Sequence, residues 1–199
     1  MCLTAYLTGS DPAERICFKQ KITAENDGTF TCSQEFLLPA GFPTMPRIGV
    51  TGVTEAGFED VTWFGRGPWE NYSDRSASAR VGRFASTVSG MYEESYVLPQ
   101  ENGNRTGCRE VTLSSKEHFL RITAETPFEF SVSHYSDREL FNARHQSELK
   151  KEKAVYLHLD LLQRGVGTGS CGPQTLPAYC IDGKKYKFVF SLTAGSLKV

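Results

Sequence analysis

Val61-Thr62-Trp63-Phe64-Gly65-Arg66-Gly67-Pro68-Trp69-Glu70-Asn71-Tyr72-Ser73-Asp74-Arg75 joins an alternating stretch to a run of glycine, proline, aromatic and charged residues. Val61 and Trp63 alternate with Thr62 and Phe64 as in a strand, and Gly65, Gly67 and Pro68 then interrupt the regular backbone. The stretch therefore predicts a strand that ends in a shaped loop. The acids and arginines beyond it are most simply explained as partners that fix the loop's geometry through charge-assisted hydrogen bonds.

Working outward, the same period of two recurs. Ile16, Phe18, Gln20, Ile22 and Ala24 alternate with polar residues, as do Phe30, Cys32, Gln34 and Phe36. Asn26-Asp27-Gly28 lies between them, and Asp-Gly supplies the positive φ angles of a tight reversal, so residues 15 to 37 predict a β-hairpin. Further strands are expected at Phe119 to Ala124, Phe128 to Val132, Val155 to Leu161 and Tyr186 to Leu192. One helix is expected, from the capping box Ser136-Asp137-Arg138-Glu139 to about Gln146. Lys150, Lys151 and Lys153, interleaved with Glu148 and Glu152, read as a solvated connection. No repeat or Pro/Ser linker divides the chain, so the economical architecture is one all-β domain, residues 1 to 199, of packed antiparallel sheets with one short helix.

With 199 residues and 39% apolar content, the chain can bury a core. Its 22 basic and 23 acidic residues leave a net charge of −1, which supplies no field to attract nucleic acid or an anionic membrane. No run is apolar for long enough to span a bilayer, and the first residues lack the basic start and apolar stretch of a signal peptide. The compartment, cytoplasmic or periplasmic, is left open. Six cysteines, at 2, 17, 32, 108, 171 and 180, show no Cys-x-x-Cys spacing. Free thiols are expected, with Cys17 and Cys32 the one pair whose strands could bring them together. The histidines at 118, 134, 145 and 158 are scattered, so no metal site is expected.

Two formal motif matches fail on context. Gly167-Thr168-Gly169-Ser170-Cys171-Gly172 fits G-x-G-x-x-G, but Pro173 and Pro177 follow where a dinucleotide site needs a helix. No nucleophile elbow accompanies any Ser-His-Asp or Cys-His combination. No cofactor is expected.

Gly-x-Gly-Pro-x-Glu-Asn-Tyr-x-Asp-Arg in the opening stretch closely resembles a signature of the C-terminal small-chain domain, domain 5, of glycoside hydrolase family 2 β-galactosidases. Met45-Pro46-Arg47-Ile48-Gly49-Val50 resembles the family's Pro-Arg-Ile-Gly strand. Tyr96-Val97-Leu98-Pro99-Gln100-Glu101-Asn102-Gly103-Asn104-Arg105 and Gly107-Cys108-Arg109-Glu110 resemble the segments that follow. Phe130 to Ser136 and Gly165 to Pro173 continue the likeness, which spans roughly residues 45 to 192.

The resemblance implies an antiparallel β-supersandwich of galactose mutarotase-like fold, lacking its N-terminal strands, from an enzyme that hydrolyses terminal β-galactosides. Glycoside hydrolysis needs two carboxyl groups about the scissile bond. In this family the acid/base glutamate follows an asparagine in the barrel domain, and no Asn-Glu dipeptide occurs here. No catalytic residue is therefore assigned, and the chain alone is not expected to cleave a glycoside. The expected partners are the catalytic barrel and other domains of the parent, a galactoside or aglycone sugar, and other copies in a homo-oligomer. Gly165 to Pro173 resembles a loop that lines the aglycone subsite, where some members carry a tryptophan. Here that loop is one residue shorter and offers Ser170 and Cys171, so the candidate substrate contacts are Ser170, Cys171 and Trp69, with Tyr179 an alternative aromatic platform. Arg66, Glu70, Asn71, Asp74, Arg75, Asn102, Arg105 and Glu110 are expected to form a structural loop network.

Two other classes stay open. A stand-alone carbohydrate-binding domain would use exposed aromatics from Trp63, Trp69, Tyr72, Tyr92 and Tyr96. An aldose-epimerase-like enzyme would need a histidine and a carboxylate, His134 or His158 with Glu110.

Overall fold

The computed structural model describes residues 1–8, 15–167 and 172–197. Ten antiparallel strands dominate: β1 (Cys2–Thr8), β2 (Arg15–Ala24), β3 (Thr29–Leu37), β4 (Arg47–Thr54), β5 (Asp60–Gly67), β6 (Arg80–Thr87), β7 (Arg105–Ser114), β8 (His118–Ser133), β9 (Val155–Gln163) and β10 (Lys185–Ser196). They follow the order β1-β2-β3-β10-β8-β7-β5-β6, and β9 leaves β8 to carry β4 on a separate branch. The fold is all-β.

The predicted hairpin is β2 and β3, paired from Cys17 opposite Leu37 to Ala24 opposite Phe30. Its turn places Gly28 at φ +83°, and the Asp27 carboxylate accepts the Thr29 N–H at 2.9 Å. This register sets Cys32 opposite Ile22, so Cys17 and Cys32 do not meet. Cys2, Cys17, Cys32, Cys108 and Cys180 are free thiols, and Cys171 lies outside the described residues.

The opening stretch differs from its prediction at one end. β5 runs on through Gly65 to Gly67, and Val61, Trp63, Gly65 and Gly67 are its buried positions. The period of two therefore continues through residues that carry no hydrophobic signal. A Cβ at Gly65 would lie 2.4 Å from Cys108 Sγ, so close packing of β7 requires the glycine.

The strands expected at 119–124 and 128–132 form one strand, β8. Its first half pairs with β10 and its second half with β9. Pro127, which has no N–H to donate, falls where the partners change. β1, β6 and β7 were not recognised as strands from the sequence. The helix expected to reach Gln146 is shorter: α2 covers Asp137–Asn142 and a separate 3-10 turn covers Gln146–Glu148. Ser136 Oγ caps the Glu139 N–H at 3.2 Å, but the Glu139 carboxylate accepts from Lys150 N instead of closing the box. A single-turn helix, α1 (Val88–Met91), is capped by Thr87.

The main core packs Trp63, Val111, Leu113, Ile122, Phe128, Phe130, Leu157, Leu159, Phe188 and Phe190 between the branches. Ile16, Phe36, Leu38, Ile48 and Ile181 form a smaller cluster. No described helix is long and apolar enough to cross a membrane.

Candidate functional site

Trp63 anchors the loop after β5. It is 2% exposed, donates its indole N–H to the Arg66 carbonyl at 3.0 Å, and carries the Arg105 guanidinium 5.3 Å from its ring centre. Arg105 is itself buried and donates to the Gly103 carbonyl at 2.9 Å. Burial pushes its pKa down to about 10, against the pull of the Glu70 charge.

Glu70 is the hub. Its carboxylate accepts from the Arg75 guanidinium, the Tyr96 hydroxyl, the Gly103 N–H at 2.9 Å and the Tyr72 hydroxyl at 3.3 Å. Burial alone would raise its pKa, but the Tyr96 and Gly103 donors and Arg75 outweigh it and hold the group below its ordinary value. Burial of the Tyr72 ring, followed by the charge of the same carboxylate, drives the Tyr72 phenol well above its ordinary range.

Asn71 stitches this loop to the start of β7 and the residue before it. Its side-chain oxygen accepts from Thr106 N–H at 3.0 Å and Thr106 Oγ at 2.6 Å, and its backbone exchanges hydrogen bonds with Asn104. Asn102 caps the Glu93 N–H at 2.9 Å. Arg66 donates to the Ala79 carbonyl at 2.9 Å. Glu110 stands apart: it pairs with Arg83 at 2.8 Å on the outer face of β6 and β7.

Asp74 turns the other way. Its two carboxylate oxygens accept the Val166 and Gly167 N–H groups at 3.0 and 2.7 Å. Gly165 makes this approach possible, because a Cβ there would lie 2.6 Å from the Asp74 carboxyl carbon. The Gly165 N–H is taken by the Tyr179 carbonyl at 3.0 Å and its carbonyl by Thr175 Oγ1 at 2.8 Å. The start of the candidate substrate loop is thus clamped onto the opening stretch. Ser170 and Cys171 lie outside the described residues. Trp69 is 59% exposed. Of the other aromatics weighed for sugar binding, Trp63 and Tyr72 are buried, and Tyr92 and Tyr96 are half-buried.

A second polar cluster escaped the sequence reading. Arg47 on β4 binds Glu101 at 2.7 Å, Asp160 at 2.8 Å and His158 Nδ1 at 2.8 Å. An arginine only donates, so Nδ1 accepts and Nε2 carries the proton toward Asp137, 2.8 Å away. Asp160 is 1% exposed and sits opposite Glu129 in the β8–β9 register. Burial raises the pKa of both carboxyls, that of Asp160 to about 7 against the pull of Arg47. Glu129 also accepts from Asn104 at 2.7 Å, which links this cluster to the loop. A charged residue inside an apolar strand run, Glu129 between Phe128 and Phe130 or Asp160 between Leu159 and Leu161, was the available signal. His134 binds Glu59 at 2.6 Å, so neither His134 nor His158 is paired with Glu110.

The segments at 45–50, 63–75, 101–106 and 165–167 are thus joined in space by Arg47–Glu101, Glu70–Gly103, Asn71–Thr106 and Asp74–Gly167.

This arrangement has relatives. The family model described as beta galactosidase small chain matches residues 5–192. A β-galactosidase of Pseudoalteromonas haloplanktis is 33% identical over 175 residues, which cover 87% of this chain and 16% of the relative. One from Aeromonas hydrophila is 35% identical over 167 residues, 81% of this chain and 16% of the relative. The chain therefore spans about one sixth of the length of the curated relatives it matches. A solved Escherichia coli structure described as a candidate aldose 1-epimerase superposes with a TM-score of 0.50 at 10% identity, covering 98% of this chain and 65% of that one. That likeness shows a shared mutarotase-like fold. With its family model matched along nearly the whole sequence, the chain belongs to the beta galactosidase small chain family.

Proposed function

We propose that this chain serves as the C-terminal β-sandwich unit of a β-galactosidase acting on terminal β-galactosides. In this reading it is scaffold, contributor to the oligomer surface, and one wall of the subsite for the leaving group. The observation that carries the reading is the Asp74 clamp on Val166 and Gly167, which fixes the base of the Gly165 to Pro173 loop while Glu70 and Arg105 immobilise the loop beneath it. A wall of that kind acts by positioning, because a substrate held in one geometry avoids the entropy of finding it. The carboxyl groups support a non-catalytic role for the isolated chain. Glu129 and Asp160 are buried, Glu70 is consumed by four donors, and Asp74 is occupied by backbone amides.

The test is hydrolysis of a chromogenic β-galactoside by this chain alone, then after mixing with a longer β-galactosidase chain that ends just before it. No turnover alone and recovery on mixing is expected. Turnover by the isolated chain, surviving removal of contaminating enzyme, would overturn the reading.

Exposed Trp69 favours a second reading, a sugar-binding face that works without the barrel. Saturable quenching of tryptophan fluorescence by galactosides, abolished in Trp69→Ala, would support it over the first.

A further inference from the structure

β8 and β9 each alternate between two faces. Phe130 and Val132 of β8 and Leu157 and Leu159 of β9 supply the core, and the opposite face carries Glu129, Ser131 and Ser133 across from Asp160, His158 and Tyr156. A polar sheet face ordinarily meets water, yet Ser131 is 3% and His158 7% exposed. Glu101, with Asp137 and Leu140 of α2, encloses the Ser131 and His158 part of this row in a recess of about 270 Å³. The same three residues line an open cleft of about 850 Å³ beside the start of β4, where Pro46, Gln100 and Phe141 add to the walls. Ligand sites are concavities of this size, roughly 300 to 1,000 Å³.

Three groups along these walls keep hydrogen-bonding capacity. Asp137 Oδ1 accepts from His158 Nε2 at 2.8 Å, and Glu101 Oε1 accepts from Arg47 at 2.7 Å. Among the described residues the second oxygen of each carboxylate has no hydrogen-bond partner, and neither does the Ser131 hydroxyl, although that side chain is enclosed. The two acids are therefore fixed in place by His158 and Arg47 and are still able to accept from a ligand. Beside them on the cleft wall, Phe141 is 88% exposed.

We propose that this cleft binds a neutral pyranose sugar, whose C–H face stacks on Phe141 while adjacent hydroxyls donate to Glu101 and Asp137. A further hydroxyl enters the recess to reach Ser131, where the walls leave no room for a ring. A sugar ring carries both surfaces that the cleft calls for, an apolar C–H face for an aromatic and hydroxyl donors for planar carboxylates. An anionic ligand is disfavoured, because it would meet two carboxylates. A cation gains little, because Arg47 already stands 2.7 Å from Glu101 and 2.8 Å from Asp160. Neither Trp69 nor any described residue of the Gly165 to Pro173 loop lines the cleft or its recess, so this site is additional to the sugar contacts considered above.

The probes are methyl β-D-galactopyranoside and methyl β-D-glucopyranoside, each titrated into the isotopically labelled 199-residue chain and followed by NMR. Saturable shifts are expected at the Phe141 ring, the Leu140 methyls and the Ser131 amide with at least one of the two, at a Kd on the order of 1 mM. Phe141→Ala changes an exposed side chain, so it is expected to keep the fold and to weaken binding about tenfold. Asp137→Asn keeps an oxygen to accept from His158 but loses the charge, and is expected to weaken binding by about the same factor. No saturable shift at these nuclei with either sugar, or an affinity unaltered in Phe141→Ala, would overturn the proposal. Shifts confined to the Trp69 indole would assign the sugar to the other face and overturn it as well. Saturation of the same nuclei by calcium chloride at a lower concentration than either sugar would assign the two acids to a cation and overturn the ligand class. None of these readouts uses galactoside hydrolysis, so failure here and failure of the enzyme reading are told apart.

Discussion

The loop after β5 and the cleft beside β4 both set polar groups against a β-sheet, yet they treat those groups in opposite ways. In the loop the acceptors find donors within the chain: Glu70 takes four, Asp74 two backbone amides and the Asn71 side-chain oxygen two. Beside β4, among the described residues, the Gln34 amide has no hydrogen-bond partner and β4 pairs with β9 alone, while buried Asp160, opposite Glu129, is held by Arg47 at 2.8 Å. A closed network specifies the chain's own geometry, whereas an open one has bonding capacity to give to something else.

The largest effect should come from breaking the closed side at its hub. Glu70→Ala strips the carboxylate from four donors and leaves Arg75, Tyr96 and Gly103 without it, so urea unfolding should show a loss of about 3 kcal/mol. A loss below about 1 kcal/mol would mean that the loop is held by its packing on Trp63 and not by the acid.

The next effect sharpens the open side. Because burial lifts the Asp160 pKa to about 7, above its value in the unfolded chain, the folded state holds the extra proton between about pH 4 and 7. Stability should therefore fall as pH rises through that window, by an amount on the order of 2 kcal/mol between pH 5 and 7.5. Asp160→Asn should flatten that slope in Tm measured against pH. An unchanged slope would show that Arg47 keeps the carboxylate ionised.

Asp74 joins the loop to the segment that follows β9, and Asp74→Ala should cost about 1 kcal/mol by freeing the Val166 and Gly167 amides. Limited proteolysis should then cut near residues 165–175 faster than in the parent. Smallest of all, Arg83→Ala removes the exposed partner of Glu110 and should change stability by no more than about 0.5 kcal/mol in thermal melts. A larger loss would return Glu110 to the loop network from which the structure separates it.

Local chemistry explains what could be read in advance. The β2–β3 hairpin was legible because its apolar period and its Asp27-Gly28 turn agree, and the Ser136 cap because a hydroxyl three residues ahead of Glu139 acts within a single turn. β1, β6 and β7 were missed because pairing with a neighbouring strand outweighs a weak internal pattern. The end of β5 was misjudged because glycine at a buried position carries packing information but no hydrophobic signal. Among the candidate residues, Glu70, Asn71, Arg75, Asn102 and Arg105 gather around one loop, while Glu110, five residues beyond Arg105 on β7, pairs with Arg83 of β6 instead, because strand register and face sort the side chains.

By itself the sequence determined the all-β class, the ordered series of family segments and the shortage of helix, because alternation, turn residues and motif order are properties of neighbouring residues. Only the tertiary structure decided that Asp74 grips the start of the 165–173 loop, that Arg47 gathers Glu101, His158 and Asp160, and that among the described residues β4 pairs with β9 alone. Those relations join residues up to about a hundred positions apart, and which groups find partners is fixed by how the two branches of the sheet diverge from β8.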